Sequence, residues 1–305
     1  MPPSQPGIRW QPADVPELPE VEVVRRGVER HLVGSRIDSV EVFDQRALKR
    51  HRGSANDFAV RLAGVTVQAA VRRGKFMWCP LDSGDALVIH LGMSGQIRVA
   101  DSVTTKHERV RLTLDGRPSV SFHDQRLFGS LALDALQPTK DGLPAGWGST
   151  GLLIPSQVAH IARDVLDPAV DDSALIRRFR SRTVAVKTAI LNQELVSGVG
   201  NIYADEALWR ARIHYATPAD RVSPAKYREL LSALRDVMSV ALDHGGTSFD
   251  SLYVNVNGES GYFDVSLDAY GQTGKPCARC ATAIVREPWQ NRSSHFCPRC
   301  QRRLR

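Results

Sequence analysis

The chain has 305 residues, 42% of them hydrophobic and 24% charged, with 40 Lys and Arg against 33 Asp and Glu. That composition is ordinary for a soluble globular protein of about two to three domains. No apolar run approaches the roughly 18 residues of a membrane span, and the Pro-rich start, Met1–Val15, lacks the apolar stretch of a secretory signal.

Residues 1–15 read as a disordered leader. From Glu17 to Leu32, Val21, Val24, Val28 and Leu32 recur at helical steps and Gly34 follows as a stop, which predicts a helix. From Arg36 to about Leu136 the pattern is of short strands. Ala86–His90 is a compact apolar run, and Val110–Leu114 and Val120–Phe122 flank Asp115-Gly116 as a hairpin would. Cys79 sits in an apolar run and reads as a core thiol. Around 138–150 the composition shifts to Gly, Pro and Thr, which predicts a linker.

Beyond it the signal turns helical. Asp171 or Asp172 caps a segment through Phe179, and a second segment runs from Val184 to Leu195. The turn Gly198-Val199-Gly200-Asn201 opens a third helix, Ile202–Arg212. Ser223 as N-cap with Pro224 behind it starts a long helix that Gly245-Gly246 closes. A Gly- and Asn-rich loop leads to the C-terminal module.

That module carries Cys277-x2-Cys280-x16-Cys297-x2-Cys300. Two such knuckles can present four thiolates to one tetrahedral Zn²⁺, and four protein ligands make the site structural. From Lys275 to Arg305 there are eight basic residues and one acid, Glu287, so the whole formal net charge of +7 falls on this stretch. Positive potential gathered there suits a polyanion, DNA or RNA. Thiols reserved for a metal fit a reducing compartment, the cytoplasm.

Pro16-Glu17-Leu18-Pro19-Glu20-Val21-Glu22 resembles the N-terminal signature of the formamidopyrimidine-DNA glycosylase family (Fpg/Nei). The resemblance recurs at Arg72-Arg73-Gly74-Lys75, His90-Leu91-Gly92-Met93-Ser94-Gly95, Asp124-Gln125-Arg126-Leu127-Phe128-Gly129 and Gly198-Val199-Gly200-Asn201-Ile202-Tyr203-Ala204, and ends at the zinc module. It implies an α+β multidomain fold: a β-sandwich headed by a helix (16–137), a linker (138–150), a helix–two-turn–helix domain with a lesion-capping loop (151–262) and a zinc finger (263–305). It implies a monomeric bifunctional glycosylase and AP lyase that removes oxidised purines, 8-oxoguanine and formamidopyrimidines, from double-stranded DNA, in the bacterial cytoplasm on the nucleoid.

The residue roles come with the resemblance. Pro16 supplies the amine that forms a Schiff base with C1′ of the sugar, the electron sink for β- and δ-elimination. An α-amino group titrates near about 7.7–8.0, so a usable fraction is free at neutral pH, whereas lysine sits near about 10.4. Glu17 does acid–base work, and Glu20 orients the catalytic turn. Lys75 and Arg292 clamp phosphates beside the lesion. Met93, Arg126 and Phe128 fill the gap left by the everted base, with Arg126 reading the orphaned cytosine. His107, Asn201, His90 and Lys187 contact DNA, and Tyr262 belongs to the region capping the base. Glu22 is left as a surface residue. Leu127 departs from the second Arg that many relatives carry.

Pro16 is the larger departure. Preceded by Val15, its nitrogen is a tertiary amide and cannot attack. Two readings are open: the first fifteen residues abolish the chemistry, or the start is misassigned and lies at Val15, whose codon can be the bacterial start GTG. The second is preferred. Two alternatives for function follow, a non-catalytic lesion-binding paralogue blocked at Pro16 and an endonuclease VIII-like glycosylase for oxidised pyrimidines.

Overall fold

The computed structural model describes residues 16–99, 106–245 and 267–303. Helix α1 (Leu18–Leu32) begins where the Glu20 carboxylate folds back to accept the Glu17 N–H at 2.9 Å. Its stripe of Val21, Val24, Val28 and Leu32 is buried in the core of the first domain.

That core lies between two antiparallel sheets. One has the order β1-β6-β7-β5, with β1 (Ile37–Val42), β5 (Gly95–Val99), β6 (Glu108–Leu114) and β7 (Arg117–Asp124). The other has the order β2-β3-β4-β8-β9, with β2 (Val71–Arg73), β3 (Phe76–Pro80), β4 (Asp85–His90), β8 (Ser130–Pro138) and β9 (Leu153–Pro155). Ile97, Val110, Leu112, Val120 and Phe122 face Met77, Leu87, Ile89, Leu131 and Leu133 across the sandwich. Cys79 is fully buried among them. The β6–β7 hairpin turns at Gly116, whose φ of 62° suits a residue without a side chain.

Two features differ from the sequence expectation. Helix α2 (Ala55–Leu62), capped by the Ser54 hydroxyl accepting from the Asp57 N–H, interrupts the run of strands. It buries only Phe58 and Leu62, too short a stripe to announce itself. The stretch 138–150 is not a free linker. It folds back so that the strand after it, β9, pairs with β8; Ala145 from this stretch, with Ile154, Val158 and Ile161 from the residues that follow, covers Val71, Trp78, Ala86 and Val88 on the outer face of the second sheet. An apolar outer face needs a cover, and this segment provides it. Gly146 is there for close approach: a Cβ would lie 2.3 Å from the Arg72 carbonyl oxygen.

The second domain packs α3 (Asp172–Arg180), α4 (Val186–Leu191), α5 (Asn201–Arg210) and α6 (Pro224–Asp243) around one core. Asp171 caps α3 and Ser223 caps α6, as their positions predict. Leu18, at the head of α1, belongs to this core and not to the sandwich, so the chain joins both domains in its first helical turn. The C-terminal ribbon, β10 (Val285–Trp289) and β11 (Arg292–Phe296), packs against α5. Among the described residues no helix is long and apolar enough to cross a membrane.

Candidate active site and nucleic-acid interface

Glu17 is 4% exposed, and its carboxylate sits on the N-terminus of α5, accepting the Ile202 N–H at 3.0 Å and lying 3.5 Å from the Tyr203 nitrogen. A helix N-terminus is a ready anion seat. Gly200 makes the seat possible, because a Cβ there would fall 2.0 Å from Glu17 Cδ. Glu20, also buried, accepts the Tyr203 hydroxyl at 3.1 Å. Burial pushes the Glu17 pKa up to about 7, against the pull of Lys75, with Glu20 adding to the rise and the two α5 amides opposing it. A carboxyl that titrates there can give or take a proton at working pH.

Lys75 ends a tight hairpin. Arg73 pairs with Phe76, so Gly74 and Lys75 form the whole loop, and Gly74 has the positive φ (58°) such loops use. Gly74 is pressed on the second domain: a Cβ would lie 2.5 Å from Ser197 Oγ. Burial lowers the Lys75 pKa, Glu17 and Glu20 raise it, and Arg292 lowers it further. Lys75 therefore feels Glu17, Glu20 and Arg292, which come from other parts of the chain.

The Lys75 hairpin is fixed from beneath. Arg72 Nε donates to Glu22 at 2.9 Å, and its Nη1 donates to Asp164 at 2.8 Å and to the Gly74 carbonyl at 3.0 Å. Asp164 also accepts the Gly74 N–H. Glu22, expected at the surface, is 1% exposed and accepts from Arg25 and Arg26 as well. Burial would raise its pKa, yet Arg72 and Arg25 hold it below the usual carboxylate range.

Arg292 sits at the tip of the β10–β11 ribbon. Gln290 and Asn291, both at positive φ (43° and 60°), form a two-residue turn, and Trp289 pairs with Arg292. Arg292 is exposed. The residue after it is held twice: the Ser293 carbonyl accepts Asn201 Nδ2 at 3.1 Å and Lys187 Nζ at 2.9 Å. These bonds bear on two expected DNA contacts. Lys187 is fully buried, with its ammonium shared among Asp205 (2.6 Å), Ser293 O and Ser294 Oγ, so it has no donor left for a phosphate. Asn201 serves the finger, and the first-turn amides behind it serve Glu17.

Four sulfurs, of Cys277, Cys280, Cys297 and Cys300, lie within 4.8 Å of one another. Tetrahedral Zn–S bonds would set sulfurs about 3.8 Å apart, so the donor set and its spread fit one structural Zn²⁺. The module is anchored on α5: Glu206 accepts the N–H groups of Asp268, Ala269 and Tyr270, Asp205 accepts the His295 N–H, and Arg279 stacks on Trp209 at 3.8 Å. Asp205 and Glu206 were missed by sequence reasoning. The available signal was two adjacent acids inside an otherwise apolar helix.

The remaining candidates line the rim of the sandwich. Met93 is half-buried in the β4–β5 turn, and Phe128 is 51% exposed in the β7–β8 loop beside Arg126. Phe128 is thus not core, the default for its type. His107 lies half-buried at the start of β6. His90 ends β4 with its ring 4.9 Å from that of Phe76; burial and then Arg50, Lys49 and Lys75 push its pKa down to about 4. A ring held that low is neutral at physiological pH. Tyr262 and the lesion-capping loop lie outside the described residues.

Comparison with known proteins agrees along the chain. Residues 15–131 match the formamidopyrimidine-DNA glycosylase N-terminal domain, 161–252 the H2TH domain of the same enzyme, and 274–303 the zinc finger found in FPG and IleRS. The formamidopyrimidine-DNA glycosylase of Leifsonia xyli subsp. xyli is 55% identical over 296 residues, covering 94% of this chain and 100% of that one. Lactococcus lactis Fpg, solved in complex with DNA containing an abasic site, superposes with a TM-score of 0.77 at 28% identity, covering 94% of this chain and 100% of that one. MutM in complex with DNA containing carbocyclic 8-oxo-G superposes with a TM-score of 0.78 at 29% identity and the same coverage.

Proposed function

This chain belongs to the formamidopyrimidine-DNA glycosylase family, and from that premise we propose that it excises 8-oxoguanine and formamidopyrimidines from duplex DNA and nicks the strand through a Schiff base on Pro16. The observation that carries the reading is the Glu17 carboxyl. It directly follows Pro16, is sealed against the head of α5, has its pKa pushed up to about 7 by burial and lies within the field of Lys75, on which Arg292 also acts.

The sequence of events follows from those positions. The Pro16 amine attacks C1′, the bond to the base breaks, and the base leaves with a proton; the amine then gives up its own proton, its lone pair forms C1′=N⁺ as the C1′–O4′ bond breaks, and O4′ takes up a proton. The resulting iminium withdraws electrons, so loss of a C2′ proton expels the 3′ phosphate and a later proton loss expels the 5′ phosphate. Glu17, its pKa raised to about 7 by burial, exchanges protons with the sugar and the departing base. Lys75 and Arg292 hold the flanking phosphates against displacement. Zinc takes no part in the chemistry; it holds the ribbon that aims Arg292.

The amine must be secondary, so the proposal includes release of Pro16 from Val15. The family match begins at residue 15, and 94% of this chain spans the whole Leifsonia relative. Neither alternative, the non-catalytic paralogue or the endonuclease VIII-like enzyme, is favoured by relatives of this name at such identity. The same reading places the protein in the bacterial cytoplasm, on the nucleoid. Borohydride trapping on an 8-oxoguanine duplex tests it: a covalent adduct is expected, and binding without an adduct would leave only a damage-binding scaffold.

A further inference from the structure

Asp124 ends β7 and is 1% exposed. Its carboxylate accepts the Ser94 hydroxyl at 2.5 Å, the Arg126 N–H at 3.1 Å and the Gly129 N–H at 2.7 Å. Ser94 Oγ in turn accepts from the Arg126 nitrogen at 3.2 Å. The Asp124 N–H donates to the His107 carbonyl, and Asp124 stands opposite Gly95 in the sheet. One buried residue thus ties the Met93 turn and the Arg126–Phe128 loop together through its carboxylate and the start of β6 through its backbone N–H. The loops are also interlocked sterically. Gly92 has a φ of 61°, and a Cβ there would fall 2.4 Å from the Phe128 carbonyl carbon. Lys49 Nζ holds the carbonyl of Leu127, itself at φ 57°, at 2.7 Å.

We infer that Asp124 and Ser94 are positioning residues that lock the two loops into one rigid wedge, so that Met93, Arg126 and Phe128 enter the duplex as a unit. The inference rests on the reading of those three as the void-filling side chains. Both are buried, so the role assigned to them is positional. A carboxylate that accepts a hydroxyl from one loop and two backbone amides from the other fixes them more firmly than apolar contact does. A wedge must arrive already shaped, because unstacking the duplex costs a few kcal/mol per step.

The test is Ser94→Ala, which removes the link between loops and leaves the Asp124 bonds to Arg126 and Gly129. Single-turnover excision from an 8-oxoguanine:cytosine duplex should fall about tenfold, the size of one charge-assisted hydrogen bond read as a rate. Nicking at a preformed abasic site, where no base needs everting, should stay within about threefold, and discrimination between cytosine and adenine opposite the lesion should narrow. In a Phe128→Ala background Ser94→Ala should cost nothing further, since both act through the same wedge. Amide exchange in the free protein gives the second arm: Arg126 and Gly129 should be protected in the wild type and exchange faster in Ser94→Ala. Equal losses on lesion and abasic duplexes, or losses that multiply with Phe128→Ala, would overturn the inference. If the wild type excised no lesion while the amides behaved as expected, the clamp would stand and the functional reading would fall. If wild-type amides exchanged as fast as those of Ser94→Ala, the clamp would fall alone.

Discussion

Two hairpins reach the same site with a cation at or beside the turn, and they are made rigid in different ways. The β2–β3 hairpin carrying Lys75 lies in a five-stranded sheet and is braced by the buried charges of Glu22, Arg72 and Asp164. The β10–β11 hairpin carrying Arg292 is a two-stranded ribbon. A ribbon of that size has no independent stability, so it depends on four cysteines at its base and on Lys187 and Asn201 gripping Ser293 near its tip. The same local geometry is therefore stable from within in one domain and borrowed from a metal and a neighbouring helix in the other. Helix α5 is what the two share. Its first turn seats Glu17, its flank holds the ribbon through Asp205, and Arg279 donates to the Trp209 and Arg210 carbonyls at its end.

The contrast can be broken from either side. The largest effect should come from the metal-dependent hairpin. Cys297→Ser should lose zinc and reduce lesion excision by about 100-fold or more, since a small misplacement of a clamp costs that much. Far-UV circular dichroism should show the sandwich and helices intact. Retention of full zinc stoichiometry would show that the ligand set is wrong. Next is Arg72→Ala on the other hairpin, which strands two buried carboxylates and should destabilise the protein by about 3–5 kcal/mol in urea unfolding. A change under about 1 kcal/mol would mean that the network does not brace the turn.

Lys187→Ala should cost about 3 kcal/mol by leaving Asp205 uncompensated, and should slow excision without changing the slope of log affinity against log salt. A reduced slope would restore Lys187 as a phosphate contact. The smallest effect is on pH. Below pH 4.5 Glu17 is protonated in both folded and unfolded chains, and only the folded chain keeps its proton up to about 7. Its contribution to stability should therefore decline as pH rises from 4.5 to about 7 and then level off. Glu17→Gln should remove that slope, along with any inflection near neutral pH in the excision rate.

What could be read from the chain was what repeats or what stops. The valine stripe of α1, the Ser223-Pro224 start of α6 and the spaced cysteines each state a local physical rule, and the structure keeps them. What could not be read was what neighbours decide. Glu22 and Lys187 carry charges that belong at a surface, and each is buried because partners from distant parts of the chain, Arg72 and Asp205, compensate it. The Gly and Pro of 138–150 looked like a tether, yet the segment packs Ala145 on a sheet face whose apolar character no local pattern reports. Asp124 and Ser94 lie inside the 124–129 and 90–95 motifs, yet their link could not be read, because hydrogen bonding between loops leaves no periodic trace.

The account depends most on where the sugar is captured. Borohydride trapping on an abasic or 8-oxoguanine duplex, followed by proteolysis and mass mapping of the cross-linked peptide, reads this directly. The account predicts one adduct, on the nitrogen of a chain that begins at Pro16, with its yield cut sharply by Arg292→Ala. An adduct on any lysine, or an equally active protein with Val15 still joined to Pro16, would contradict it.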